Sequence, residues 1–393
     1  MRNGIASPAS APPRDHDATS TYQEYWLAML NLNASTLYRR VHQSANYRLR
    51  TFAGGRFRSA CRPVSIALLL SERCNSRCVH CDIWKNKGRE DVLDVAQWKA
   101  CLSELADWLG PVQVTLTGGE ALLQRFTPEL VAHGVSQGLA IELLTHGYWS
   151  DHARLRQAAL ANPWRITMSL DAIGETHSKV RGRAKFWQKA HASMQMLKAV
   201  RAERKLNYNI RLKTVLMNHN VGEAANVARY ARENGMEVFY QPIDRNYNSA
   251  EDPLWFETAP TWPKDPEVVE ATVRELLRLK KEDYPIANSV AQLEVMIPYF
   301  RDPAAMQSAV YSQAAHEAQS PCSALTTLQI HPNGDVRVCA SRSPIGTLRA
   351  HTVRELWRRR PHYWANGTCC QNKSATAETA SSTAVSEELV ALS

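Results

Sequence analysis

Three cysteines in the run Cys74-Asn-Ser-Arg-Cys78-Val-His-Cys81 follow directly on the apolar stretch 64–70. Three thiolates so close together can hold three irons of a four-iron, four-sulfur cubane, which leaves the fourth iron open. A structural iron-sulfur site normally has four cysteines, and a structural zinc site four ligands. Three ligands on one short loop therefore point to a cluster whose last position takes a substrate or cosubstrate. The competing reading is a zinc knuckle completed by His80. It is the weaker one, because His80 adjoins Cys81 and neighbouring side chains rarely reach one tetrahedral ion.

The rest of the chain agrees with a globular protein. Its 393 residues can bury a large core, and hydrophobic and charged contents of 44% and 22% are ordinary for a folded protein. The first fourteen residues lack the apolar core of a signal peptide, and the stretch 64–70 is too short to span a bilayer, so the expected location is cytoplasmic. Nine cysteines, an odd number grouped at metal-ligand spacings, argue for iron-sulfur ligation over disulfides.

The net charge of +9 is unevenly placed: no Asp or Glu lies between Glu24 and Glu72, where seven arginines fall. A second basic cluster is Arg358-Arg359-Arg360. Such a field attracts RNA, an acidic leader peptide, a phosphorylated metabolite or a membrane surface, or it is a solvated basic face with no partner. Residues 22–50 read as an amphipathic helix, with Trp26, Leu27, Leu30, Leu32, Leu37 and Val41 apolar, and a helix of this kind more often packs on its own domain than on lipid.

From residue 64 the chain alternates short β-like runs with helical patterns six times, which predicts a parallel sheet covered by helices. The strands fall at 64–70, 112–116, 141–145, 165–170, 210–217 and 237–241. Asp94 caps the helix 95–109, Thr127-Pro128 marks a helix start, and Gly235 ends the helix 221–234. The expected layout is a disordered N-terminus (1–20), a basic helical extension (21–60), a core (61–250), a helical connector (251–320), a small cysteine-bearing domain (321–370) and a disordered tail (371–393).

Together with Thr117-Gly118-Gly119-Glu120 after the second strand, the C-x3-C-x2-C loop resembles the radical S-adenosylmethionine superfamily. That resemblance implies a partial (β/α)6 barrel with its chemistry at the C-terminal ends of the strands. It implies a [4Fe-4S] cluster on Cys74, Cys78 and Cys81 whose open iron is chelated by S-adenosyl-L-methionine. One electron, from a donor such as flavodoxin or ferredoxin, then yields a 5′-deoxyadenosyl radical that takes a hydrogen atom from carbon. Gly118, Gly119 and Glu120 would hold the methionyl amino group. Thr145-His146-Gly147 stands where relatives often have Thr-Asn-Gly, with Thr145 at the cofactor. Ser169 and Asp171 would lie near the ribose, and Arg181 near the methionyl carboxylate.

The segment 322–339 reads as a hairpin around Pro332-Asn333-Gly334-Asp335, flanked by Cys322 and Cys339 and followed by a helix through Trp357 and by Cys369-Cys370. It resembles the SPASM/twitch extension of the same superfamily. Four cysteines, in place of about seven, favour the shorter twitch form with one auxiliary [4Fe-4S] cluster. A zinc hairpin on the same four cysteines is the competing reading.

These features imply a radical oxidoreductase acting at carbon, with a small natural-product or sugar-like substrate placed first and a peptide second. An RNA-modifying enzyme and a non-catalytic iron-sulfur protein rank below both. No general base or radical quencher is identified; Tyr240, Gln241, Asp244 and His146 are candidates to face the substrate, with packing or surface roles the alternative.

Overall fold

The computed structural model describes residues 34–51, 57–86, 91–245, 254–304, 323–339 and 343–365. A helix, α1 (Ala34–Thr51), precedes the first strand, β1 (Ser65–Leu69). There follow α2 (Val95–Leu109), β2 (Gln113–Thr117), α3 (Thr127–Ser136), β3 (Ala140–Thr145), α4 (Ala153–Leu160) and β4 (Arg165–Ser169). The unit after β4 has two helices, α5 (Glu175–Arg181) and α6 (Phe186–Glu203), before β5 (Asn209–Leu216), α7 (Ala224–Asn234) and β6 (Glu237–Pro242).

All six expected strands form, and they lie side by side and parallel in sequence order, so every β-to-α loop opens at the same end. The sheet is open, and its β1 edge is extended by three further strands. These are β7 (Thr327–Ile330), parallel to β1, then β8 (Asp335–Arg337) and β9 (Gly346–Thr347), both antiparallel. The C-terminal hairpin is thus continuous with the core sheet: Ile66 pairs with Leu328 and Leu68 with Ile330.

Alternation along the strands separates two environments. Ile66, Leu68, Val114, Leu116, Ile210 and Leu212 are buried against the helices on the convex face. Their neighbours Ala67, Gln113, Thr115, Thr117, Arg211 and Lys213 are only partly buried and line a cavity of about 520 Å³ on the concave face. A curled sheet with helices on one side only leaves its inner face free for polar groups.

The sequence signals for helix ends hold with one change. Asp94 forms a full capping box with Gln97, Asp265 caps Pro266–Lys281, and Gly235 takes the left-handed conformation that ends α7. Thr127 lies inside α3, where its hydroxyl donates to the Ala121 carbonyl in place of capping.

The basic helix α1 packs on its own chain. Tyr38 donates to the Leu109 carbonyl, His42 Nε2 lies 2.9 Å from the Pro63 carbonyl, and Arg39 sits over Trp164. Those partners stand at the approaches to β2, β1 and β4, so α1 covers the N-terminal end of the sheet. Leu37 and Val41, which the amphipathic pattern placed on an apolar face, are half-exposed, and Trp26, Leu27, Leu30 and Leu32 of the same pattern lie outside the described residues. The last helix among the described residues, α8 (Val353–Ala365), is held to α2 by Glu104, whose carboxylate accepts from the amides of Val353 and Arg354. Trp357 and Arg360 both donate to the Cys61 carbonyl. Cys61 is a buried structural residue, as is Cys101 within α2. No helix among the described residues is long and apolar enough to cross a membrane.

Candidate active site

The cysteine loop leaves β1 at Leu69 and crosses the mouth of the sheet. Cys78 is buried, Cys74 and Cys81 are partly exposed. Among the described residues no three His, Cys, Asp or Glu side chains gather closely enough for a single metal ion, so the thiols are spread around the loop. The loop's amides and hydroxyls turn toward sulfur: Ser76 N–H donates to Cys74 Sγ at 3.4 Å, and Ser76 Oγ is 3.0 Å from Cys78 Sγ. Burial pushes the Cys74 thiol up to about 12, with Glu120, Cys78 and Cys81 adding to the rise, and burial also raises Cys81. Thiols in this setting stay protonated until a metal centre displaces their protons. By donor chemistry, three cysteines on one short loop, two of them partly exposed, fit an iron-sulfur cubane.

Beneath the loop lies an arginine. Arg181 Nε is 2.7 Å from Asp171 Oδ2, and its Nη1 reaches Cys78 Sγ at 3.6 Å. Burial opposes the charge on Arg181, yet Asp171 and Cys78 hold its pKa above the ordinary value. Burial would likewise raise the Asp171 carboxyl, but Arg181 outweighs it and holds it below the carboxylate range. The backbone is tied in as well, because the Arg181 carbonyl accepts from the Arg77 amide and the Ser76 hydroxyl. Gly182 follows in the left-handed conformation, and a Cβ there would overlap the Arg77 carbonyl.

The Gly-Gly-Glu turn is pressed against the start of the same loop. Gly119 N–H donates to Ser71 O at 2.7 Å and Glu120 N–H to Arg73 O at 3.0 Å. Gly118 has φ +130° with the Ser71 carbonyl where a Cβ would stand, and a Cβ on Gly119 would lie 2.5 Å from Arg73 O. Glu120 is buried, and burial lifts its pKa to about 7 against donors from His146 N–H, Leu122 N–H and the Thr145 hydroxyl.

His146 joins the turn to the cysteine loop. Its Nδ1 accepts from the Tyr148 amide, so the proton sits on Nε2, which is 2.7 Å from Asn75 Oδ1 and 3.2 Å from Glu120 Oε2. Burial lowers its pKa to about 3, with Arg181 and His177 adding to the fall, and the ring is a neutral donor.

The structure thus brings Cys74, Cys78, Cys81, Gly118, Gly119, Glu120, Thr145 and Arg181 into one connected patch at the C-terminal end of the strands. Asp171 is fully buried, its side chain directed to Arg181 and the Val215 amide. Ser169 ends β4 on the concave face, partly exposed. Gln241 and Asp244 line the cavity, whereas Tyr240 is a core residue donating to the Ala224 carbonyl. Cys339 is buried just beyond β8; Cys322, Cys369 and Cys370 lie outside the described residues.

Residues 68–231 match the Radical SAM superfamily. This chain carries a radical SAM domain. The radical SAM family uses a [4Fe-4S] cluster with S-adenosylmethionine, in keeping with the three-cysteine loop. Over 114 residues the chain is 32% identical to the Fe-coproporphyrin III synthase of Methanosarcina barkeri, covering 29% of this chain and 28% of that protein. Over 113 residues it is 34% identical to the PqqA peptide cyclase of Xanthomonas euvesicatoria, covering 28% and 30%. The match therefore spans under a third of these relatives' length. In fold, the chain is similar to Streptococcus suis SuiB bound to S-adenosylmethionine, with TM-score 0.58, 12% identity, and 95% of this chain and 82% of that one covered. It is also similar to anSMEcpe with bound AdoMet and a peptide, with TM-score 0.55, 14% identity and 84% and 95% covered.

Sequence reasoning missed two parts of the site. One is the Asn75–His146–Glu120 link, which a Thr-His-Gly in place of Thr-Asn-Gly disguised. The other is the charged concave face, where Glu142 accepts from Gln113, Thr115 and Thr167 and lies 3.5 Å from Arg165. The signal for it was present, in Gln113-x-Thr115-x-Thr117 and Arg211-x-Lys213 at the strand period.

Proposed function

We propose that this radical SAM enzyme modifies a carbon centre of a peptide, forming a bond or removing hydrogen. The observation that carries the reading is the cysteine loop held between Arg181 and the Gly118–Glu120 turn, which directly follows Thr117 of the concave cavity's lining. A cluster held on this loop would supply one-electron reductive cleavage of S-adenosylmethionine, and with it hydrogen-atom abstraction from substrate carbon. In this reading Cys74, Cys78 and Cys81 hold three irons, Glu120 receives the methionyl ammonium, and Ser169 faces the ribose. Arg181, paired with Asp171, fixes the loop from below. His146 holds Glu120 and Asn75 in register without a charge of its own.

The peptide is favoured over a small natural product by the relatives named PqqA peptide cyclase, and the likeness in fold to SuiB bound to precursor peptide SuiA is compatible with it. A small-molecule substrate is the second reading, favoured by the likeness to Fe-coproporphyrin III synthase. A one-electron donor of flavodoxin or ferredoxin type completes the system. An auxiliary [4Fe-4S] cluster on Cys322, Cys339, Cys369 and Cys370 belongs to the same proposal and would receive an electron from the substrate in an oxidation. Iron counting tests it: a variant lacking Cys74, Cys78 and Cys81 should retain about four irons per chain, and zinc in their place would refute the auxiliary cluster.

The test of the main reading is anaerobic reconstitution with iron and sulfide, addition of dithionite and S-adenosylmethionine, and chromatography for 5′-deoxyadenosine. Its formation, lost in Cys78→Ala, supports the reading; unchanged turnover in that variant refutes it.

A further inference from the structure

The concave cavity carries its own specificity. Three strand-borne cations line it, Arg165, Arg211 and Lys213. Two are matched by acids: Arg165 stands 3.5 Å from Glu142 and 3.6 Å from Glu237, and Arg211 stands 2.5 Å from Glu237. Lys213 has no hydrogen bond or ion pair among the described residues. It is partly exposed, lies on the cavity face of β5, and is in register with Ser169 at the end of β4 on one side and Phe239 on the other. That level is the rim, one strand from the residue assigned to the ribose. A cation held there, away from bulk water, is poorly solvated until an anion meets it. Its pKa is accordingly lowered, by burial first, with Glu142 opposing and Arg211 and Arg181 adding.

We propose that Lys213 is a specificity-determining residue that receives a carboxylate of the substrate, setting the reacting carbon beneath the cofactor rim. A single charge fits better than a phosphate dianion: one unmatched ammonium stands there, with Glu142 and Asp244 on the same cavity wall. Apolar wall residues such as Leu144 and Phe239 suit the carbon chain that bears the group. The carboxylate comes either from an acidic side chain of a peptide or from a small carboxylic acid. This proposal rests on the reading above in taking the cavity as the substrate chamber.

The test uses the full reconstituted chain and acetylation by N-hydroxysuccinimidyl acetate, followed at Lys213 by peptide mass spectrometry with exposed Lys281 as reference. Two probe pairs are added in turn: glutarate against glutaramide, and an acetyl-Gly-Gly-Glu-Gly-Gly amide against its Gln counterpart. The expected result is slowing at Lys213 by the acid of a pair and not by its amide. Roughly threefold protection corresponds to a probe at twice its dissociation constant. Lys281 should be unaffected. The pair that protects more strongly identifies the source of the carboxylate. Equal protection by acid and amide, protection by neither, or no acetylation of Lys213 in the unprotected chain would overturn the proposal. The measurement needs no turnover, so absence of 5′-deoxyadenosine would defeat the enzymatic reading and leave this result standing, and the converse also holds.

Discussion

Arg181 and Asp171 form a buried ion pair directly beneath Cys78, with Nε 2.7 Å from Oδ2 and the same guanidinium 3.6 Å from the cysteine sulfur. The pair joins the turn after β4 and the end of α5 to the cysteine loop. Asp171→Asn leaves the arginine buried without its anion. Breaking a buried pair from one side typically costs about 3–5 kcal/mol. Urea unfolding should show a loss of that order, together with reduced iron retention after reconstitution. Wild-type stability with full iron would contradict this role.

Gly119 makes a narrower point. Its φ is ordinary, so a methyl group there acts only by volume, meeting Arg73 O at 2.5 Å and Cys74 Cβ at 3.2 Å. Overpacking of this kind costs about 1–3 kcal/mol. Gly119→Ala should lower the urea midpoint accordingly and weaken S-adenosylmethionine binding measured by calorimetry on the reconstituted protein.

Glu142 predicts a pH dependence. Burial would raise its pKa, but Arg165 and the Thr167 hydroxyl outweigh burial and hold it below 4.5. A depressed carboxyl contributes stability that is present above its unfolded pKa and lost as pH falls through the folded value. Burial in turn pulls Arg165 down to about 10, more than Glu142 and Glu237 restore, so removing the Glu142 charge leaves a buried cation short of one of its two acids. Glu142→Gln should therefore cost about 2 kcal/mol at pH 7, and the gap to wild type should close below pH 4.5 in paired urea titrations.

Trp357→Phe removes one of two donors to the Cys61 carbonyl while Arg360 keeps the other. The acceptor stays satisfied, so the expected loss is about 1 kcal/mol, read from the thermal midpoint. A much larger loss would mean that the packing of the buried indole, including its edge contact with Trp108, outweighs its hydrogen bond.

Much of this was legible in sequence because local rules and tertiary structure agree. The six strands, the Asp94 cap and the Gly235 stop follow from periodicity and capping chemistry. The cysteine loop and Gly118–Gly119 follow from ligand spacing and close backbone approach. What was not legible depends on contacts between distant segments. The pairing of β7 with β1 joins residues some 260 positions apart. Asp171 bears no local mark that its carboxylate turns to Arg181, and the Nε2 proton of His146 is fixed only by the Tyr148 amide. The partners of α1, the Leu109 and Pro63 carbonyls and the Trp164 ring, are contacts that no helical pattern encodes.

The most direct measurement is the electron paramagnetic resonance spectrum of the reduced, oxygen-free protein before and after S-adenosylmethionine is added. With Cys74, Cys78 and Cys81 as ligands and one iron left to the cosubstrate, the cluster signal shifts on addition, and the shift disappears in Cys78→Ala. A signal from the intact loop that is unchanged by S-adenosylmethionine would contradict the account.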